Sequence, residues 1–331
     1  MKRVLVIGGA GYLGSVLCRK LLSKGYIVRV LDCLLYGDSG IRDYYDNPNF
    51  EFIYGDIRNI QDIIRSIEDS DIVIHLAAIV GDPASDLKPE ESLEINQLAT
   101  ENIIKICKKN SIDRFIFAST CSVYGASDNK LLDEESQLNP VSLYAEMKVN
   151  SENIVLNNCS DNFCATIFRM ATLYGISPRM RFDLVANLFV IKAIKEGKIS
   201  LFGGEQKRCF CNIEDVADAY IWCLDLPKTV INKQIYNISS DNLKIKELVD
   251  VIQNYIQDVD IEIYDKNWDE RSYITSSDKF RKLGWESKIT IDSFIDKMKY
   301  NINNGKWSDY KDSIYNNYKH LKMVGVRKDC E

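Results

Sequence analysis

Histidine is nearly missing from this chain: His75 and His320 are the only two among 331 residues. A histidine-rich zinc centre and a Ser-His-Asp triad both need more imidazole than that, so both are set aside and no metal is expected. Any acid–base chemistry then falls to carboxylates, lysines or tyrosines. Long apolar runs are lacking too. Val4–Ile7 is short and leads into glycines, so it reads as a first strand and not as a cleavable signal, and no run approaches a membrane span. The ten cysteines are scattered and form no Cys-x-x-Cys pair, so free thiols in a reducing, cytoplasmic setting are expected. Basic excess is absent as well. A net charge of −6 argues against a nucleic-acid footprint, and an anionic ligand would have to be met by local cations.

What is present is ordinary globular material, 46% hydrophobic and 27% charged, in a chain longer than one average domain. Through the first half, short β-branched runs alternate with amphipathic stretches. Arg3–Ile7, Ile27–Asp32, Phe50–Tyr54, Ile72–Leu76, Arg114–Ser119 and Phe163–Arg169 read as strands. Tyr12–Lys24, Gln61–Glu68, Pro89–Lys109 and Val141–Asn157 read as helices. This alternation predicts a parallel sheet covered on both faces, with ligands outside the carboxyl ends of its strands. After about Gly175 the rhythm changes. Helical patterns at Phe182–Glu196, Glu214–Leu226, Lys244–Ile256 and Ile291–Asn303 alternate with short strands such as Ile199–Phe202 and Gln234–Ile238. The expected fold is α/β: a Rossmann-type doubly wound parallel sheet over residues 1–175, then a smaller α/β substrate-binding lobe over 176–331, some of it returning to the first domain.

The first strand runs into Gly8-Gly9-Ala10-Gly11-Tyr12-Leu13-Gly14. A chain that turns here, approaches a pyrophosphate and starts a helix against the sheet needs glycine at 8, 11 and 14, and the helix N-terminus offers amides and positive dipole to phosphate. The second strand ends at Asp32, where a carboxylate can accept both adenosine-ribose hydroxyls. Asp32 would repel a 2′-phosphate, and Cys33-Leu34-Leu35 offers no cation to attract one, so NAD is expected over NADP. Asp56, after the third strand, is a candidate adenine contact or a solvated loop aspartate.

Ser119-Thr120-Cys121-Ser122 follows the fifth strand, and Tyr144-Ala145-Glu146-Met147-Lys148 lies on a helix, which puts Tyr144 and Lys148 one turn apart on one face. A tyrosine titrates near 10, too high for a base at neutral pH. A neighbouring ammonium and a cationic nicotinamide would each favour phenolate and lower that value. Thr120 can hold a substrate hydroxyl near Tyr144. A Tyr-x-x-x-Lys pair by itself is common on helix surfaces; the glycine loop, Asp32 and Thr120 in the same order make it a catalytic constellation.

Together these residues resemble the extended short-chain dehydrogenases/reductases, in the NAD-dependent epimerase/dehydratase group that modifies sugar nucleotides. The resemblance runs through the His75-Leu76-Ala77-Ala78 strand end, Asn96, Leu173-Tyr174-Gly175, Phe202-Gly203-Gly204 before Arg208, Asp215-Val216-Ala217 and Lys282-Leu283-Gly284-Trp285. It implies Tyr144 as base, Thr120 as its partner and Lys148 as a contact to the ribose and the tyrosine. Ile57, Leu76, Ala77, Ala78 and Asn96 join the glycine loop, Tyr12 and Leu13 at the cofactor, although a buried asparagine capping backbone is an equal reading of Asn96.

The same resemblance works by subtraction. Relatives that dehydrate carry an Asp-Glu pair where this chain has Cys121-Ser122, and decarboxylating relatives need glutamate at the second place. Relatives that epimerise C3 and C5 use a cysteine aligned with Ser122 and a later histidine. Cys121 is displaced by one residue and reads as packing. C4 chemistry on a nucleotide-diphosphate sugar remains, as a 4-epimerase, a 4-dehydrogenase or a 4-ketoreductase, serving surface polysaccharide or glycan precursor synthesis. Two departures bear on the substrate. Thr172 stands where many relatives have asparagine, and Val80 where hexose 4-epimerases carry lysine, which tilts the reading towards a dehydrogenase on an unusual hexose or heptose. Arg208 and Arg271 are implied as pyrophosphate arginines, and Arg179 and Arg181 as part of a substrate loop. A non-catalytic NAD sensor or scaffold is the competing class, but it would have no need of Thr120, Tyr144 and Lys148 together. Relatives usually pair through two helices, here Pro89–Lys109 and Val141–Asn157. The surplus apolar positions Leu93, Leu98, Ile103, Ile104, Ile106, Val149, Ile154, Val155 and Leu156 predict a homodimer.

Overall fold

A computed structural model describes residues 1–265 and 271–325. Seven strands form one parallel sheet: β1 (Arg3–Ile7), β2 (Ile27–Asp32), β3 (Phe50–Tyr54), β4 (Ile72–His75), β5 (Arg114–Thr120), β6 (Cys164–Met170) and β7 (Gln234–Ile238), in spatial order β7-β6-β5-β4-β1-β2-β3. Strand order reverses beside β1, so the turns after β1 and β4 open on one crevice at the carboxyl edge. The central strands β1 and β4 read as continuous apolar runs because both of their faces are buried. Val4 and Val6 point into one core with Val28, Val30, Ile72 and Ile74, while Leu5 and Ile7 point into the other with Leu31, Val73 and Phe117. This is the Rossmann-type doubly wound fold.

The helices α1 (Tyr12–Ser23), α2 (Ile60–Ile67), α3 (Ala99–Lys109) and α4 (Leu143–Asn158) cover the two faces. Pro89–Lys109 is not one helix. A short helix, Pro89–Leu93, and a wide turn, Glu94–Leu98, precede α3. The widening seats Asn96 against the backbone of Ile79: its amide oxygen accepts from the Ile79 N–H (2.8 Å) and its amide nitrogen donates to the Ile79 carbonyl (3.0 Å). Likewise Phe182–Glu196 becomes helical only at Val185. Its first residues are held as a loop by Phe182 packing on Trp307, Tyr310 and Tyr315, and by Asp183 bonding Arg181.

β7 returns to the main sheet from beyond residue 175, alongside β6. Beyond the main sheet, short pairings join segments far apart in sequence. Thr172–Tyr174, Lys207–Asn212 and Asp241–Lys244 make a three-stranded sheet, Lys198–Phe202 pairs with Asp260–Tyr264, and Ala126–Leu132 pairs with Ser272–Thr275. Two late motifs meet here. Trp285 donates its indole N–H to the Asp215 carbonyl (3.2 Å), and the Asp215 carboxylate accepts from the Ile289 N–H (2.9 Å). These are staples of the lobe and not site residues. One core runs from the sheet into the second lobe, through Phe168, Tyr220, Phe280 and Trp285. Much of the apolar surplus expected to pair two subunits lies in the protomer's own interior: Ile103, Ile104, Ile106 and Val155 are buried, whereas Leu93 and Leu98 stand out at 40% and 43% exposure. No helix among the described residues is long and apolar enough to cross a membrane.

Candidate active site

The turn after β1 has no room for side chains. A Cβ on Gly14 would lie 2.3 Å from the Gly8 carbonyl oxygen, and one on Gly8, whose φ is +85°, would lie 2.7 Å from the Ala77 nitrogen. These glycines bring the N-terminus of α1 and the end of β4 together. Asp32 completes the turn, because its carboxylate accepts from the Ala10 N–H (3.0 Å) and the Leu34 N–H (2.9 Å). Burial pushes that carboxyl's pKa up, and the two N–H donors oppose the shift. A cleft opens above, lined by Gly8, Gly11, Tyr12, Leu13, Gly14, Asp32, Asp56, Ile57, Leu76, Ala77 and Ala78, with Tyr144 and Lys148 at its far end. Asp56 sits in its wall, with its carboxylate on Arg58. The tight backbone, the anion-seeking helix end and the carboxylate at the end of β2 suit a dinucleotide.

α4 starts at Ser142, whose hydroxyl accepts from the Ala145 N–H (3.2 Å). The cap places Tyr144 in the first turn, at the mouth of the sheet. Lys148 is buried and donates to the Ala118 carbonyl (2.8 Å), with its nitrogen 5.8 Å from the centre of the Tyr144 ring. Burial pulls the Lys148 pKa down to about 7, and Glu152 one turn further along opposes it. The expected lowering at Tyr144 is not seen in the protein alone. Burial raises its phenol pKa, the Asp82 carboxylate adds to the rise, and Arg181 and Arg271 oppose it. Lys148 is itself desolvated and held by a carbonyl, so a lowering of Tyr144 must come from charge that arrives with the ligand. The Thr120 hydroxyl accepts from the Ser122 N–H (3.1 Å) and lies 3.0 Å from the Ser122 hydroxyl.

Tyr144 also lines a second chamber, which carries Thr120, Ser122, Thr172, Arg181, Arg208 and Arg271. Arg208 lies over the Tyr273 ring, 5.4 Å from its centre, and donates to the Lys207 carbonyl (2.8 Å). Arg271 bridges to Asp82 (2.8 Å), and Arg181 pairs through two bonds with Asp183. The two spaces share Val80, Tyr144, Met170, Leu173, Arg181 and Asn317, so a ligand in one can meet a ligand in the other at Tyr144.

Two expected contacts fall elsewhere. Asn96 lines neither space; both ends of its amide are taken by the Ile79 backbone, as the backbone-capping reading of this residue expects. Arg179 lines the first cleft and not the second chamber, because its guanidinium lies over the Tyr36 ring and bonds Asn317. Sequence reading missed Asp82, Ser122, Tyr36 and Asn317. Ser122 was legible as the neighbour of Thr120. Asn317 and Tyr36 carry no local pattern, since they reach the cleft only through long-range packing. Cys121 is fully buried and donates its thiol to the Arg169 carbonyl (3.2 Å), away from both spaces.

Asp32→Ala is expected to weaken NAD binding about tenfold or more and to bring NADP affinity towards that of NAD. Comparable affinities of the native protein for the two cofactors, measured by calorimetry, would overturn this assignment.

Residues 4–239 match the NAD dependent epimerase/dehydratase family. A Methanocaldococcus jannaschii protein assigned as a UDP-glucose 4-epimerase is 32% identical over 303 residues, covering 89% of this chain and 96% of its own length. Human dTDP-D-glucose 4,6-dehydratase is 28% identical, covering 92% of each chain. Among solved structures, the UDP-glucuronic acid 4-epimerase of Bacillus cereus, in complex with UDP-glucuronic acid and NAD, superposes with a TM-score of 0.81 at 25% identity, covering 91% of this chain and 99% of that one.

Proposed function

Because this chain belongs to the NAD-dependent epimerase/dehydratase family and is an NAD-dependent enzyme of that kind, we propose that it oxidises C4 of the sugar in a nucleotide-diphosphate sugar. The keto sugar is then either reduced on its other face, as a 4-epimerase does, or released, as a 4-dehydrogenase does. The observation that carries this reading is the shared wall at Tyr144. The glycine loop and Asp32 line the cleft on one side, where the dinucleotide would lie, and Thr120, Ser122, Arg181, Arg208 and Arg271 line the chamber on the other, where the sugar nucleotide would lie. NAD supplies the hydride acceptor. Tyr144 takes the proton from the C4 hydroxyl, Thr120 fixes that hydroxyl, Lys148 orients the ribose, and the charge that favours the phenolate arrives with the dinucleotide.

The side chains after β5 support C4 chemistry without elimination. Ser122 faces the substrate chamber where a dehydratase or decarboxylase would need an acid, and Cys121 faces inward. Incubation with NAD and a panel of UDP-, dTDP- and GDP-sugars should give a 4-epimer or a 4-keto sugar, read by proton NMR and nicotinamide absorbance. A 4-keto-6-deoxy product or released carbon dioxide would overturn the reading. Its place would be the supply of precursors for surface polysaccharide or other glycans, in the cytoplasm, where the nine cysteines found free in the structure remain reduced.

The protein is further proposed to act as a homodimer through the face around Leu93 and Leu98 and the adjoining surface of α4. This pairing would stiffen the helix that presents Tyr144. Light scattering should give about twice the 37.9 kDa chain mass; a monomer mass for fully active protein would rule it out.

A further inference from the structure

Arg179 is 3% exposed. A guanidinium stays charged at any ordinary pH, so one placed out of water normally faces a carboxylate. Arg29 and Arg169, also buried, have Glu51 at 2.7 Å and Glu152 at 2.7 Å. Arg179 has no such partner among the described residues. It donates to the neutral amide oxygen of Asn317 (2.6 Å) and lies 4.0 Å from the centre of the Tyr36 ring, and its Nε is buried with no hydrogen-bond partner. The adjacent Asp183 is engaged by Arg181 and by the Asn317 N–H. Burial and repulsion by Arg181 pull the Arg179 pKa down to about 10, with Tyr36, Asp183 and Asp32 opposing the shift.

Its surroundings say which anion would complete it. Arg179 lines the same cleft as Gly11, Tyr12 and Leu13 at the start of α1 and as Asp32 and Tyr36 at the end of β2. Its charge acts on both Asp32 and Tyr12. It therefore shares one cleft with the Asp32 carboxylate and with the N-terminal end of α1. It is held there by the C-terminal segment, because Asn317 opens the helix Asn317–Val324 and His320 donates from Nε2 to the Leu35 carbonyl (2.9 Å).

We propose that Arg179 is the cation that neutralises the diphosphate of the bound dinucleotide, in the cleft it shares with the glycine loop. This assignment does not depend on which sugar carbon reacts. The diphosphate is common to both dinucleotides, so Arg179 adds affinity, while Asp32 sets the choice between them.

The test is titration of the full-length Arg179→Met variant with NAD, ADP-ribose, 2′-phospho-ADP-ribose and adenosine. NAD and both ADP-ribose affinities should fall about 10- to 100-fold, the loss of a charge-assisted hydrogen bond, while adenosine binding stays within twofold. Arg179→Lys should recover part of the loss. Ligand-free Arg179→Met should melt at or above the native temperature, since a buried unmatched cation is removed, but its stabilisation by added NAD should shrink. Equal losses for adenosine and ADP-ribose, an unchanged NAD affinity, or a lowered melting temperature without ligand would each overturn the proposal. A loss confined to 2′-phospho-ADP-ribose would overturn it too, by placing Arg179 at the 2′-position.

Discussion

Tyr144→Phe is expected to lower kcat by about 10²–10⁴-fold, the range for removing a positioned general base, with NAD affinity nearly unchanged. Among the described residues, the phenol is the one acid that lines both the dinucleotide cleft and the second chamber, and it lies on the first turn of a capped helix. In the oxidising direction kcat/KM should rise with pH as the phenol loses its proton. Burial and Asp82 both hold that proton on, so Asp82→Asn should move the rising limb to lower pH, and Tyr144→Phe should abolish it. A loss of activity below tenfold, or a pH limb that survives in Tyr144→Phe, would remove Tyr144 from the role of base.

Glu152→Ala is expected to destabilise the fold by about 3–5 kcal/mol, because one member of a buried ion pair is deleted and the other is left without its counter-charge. Both side chains of the Glu152–Arg169 pair are 3% exposed, and Arg169 meets the carboxylate through Nε (3.0 Å) and Nη2 (2.7 Å). The pair ties α4 to β6, and Arg169 continues to the Tyr124 hydroxyl (3.0 Å), which donates to Asn237 on β7 (2.8 Å). The melting temperature should fall by roughly 5 °C. Glu152 also sustains the charge of Lys148, so NAD turnover should weaken in whatever fraction remains folded. A shift of only a degree or two would show that Arg169 finds adequate compensation elsewhere.

The first half of the chain was legible because its elements are local and strongly patterned. Strands β1 to β5 fall within a residue or so of the ranges read from β-branched runs, and the glycine loop, Asp32, Tyr144 and Lys148 come together as their spacing implies. The break inside Pro89–Lys109 was not legible, because periodicity cannot register one widened turn. Nor were the short pairings beyond the main sheet. Ala126–Leu132 and Ser272–Thr275 are strands only because each has the other, about 145 residues away.

The sequence by itself determined the sheet, the turn that receives a dinucleotide, and the chemistry available at its edge. In each case the signal is a residue type required at a fixed short spacing by backbone geometry or by a helix turn. The tertiary structure alone decided which lobe supplies which charge. Asn96 is drawn to the Ile79 backbone, Arg271 is set against Asp82, and Arg179 is carried under Tyr36 into the dinucleotide cleft, when its neighbour Arg181 lines both spaces. Two arginines two residues apart look alike in sequence. Their surroundings differ because Asp183, Tyr36 and Asn317 arrive from three separate parts of the fold, and a charge takes its role from what it is buried against.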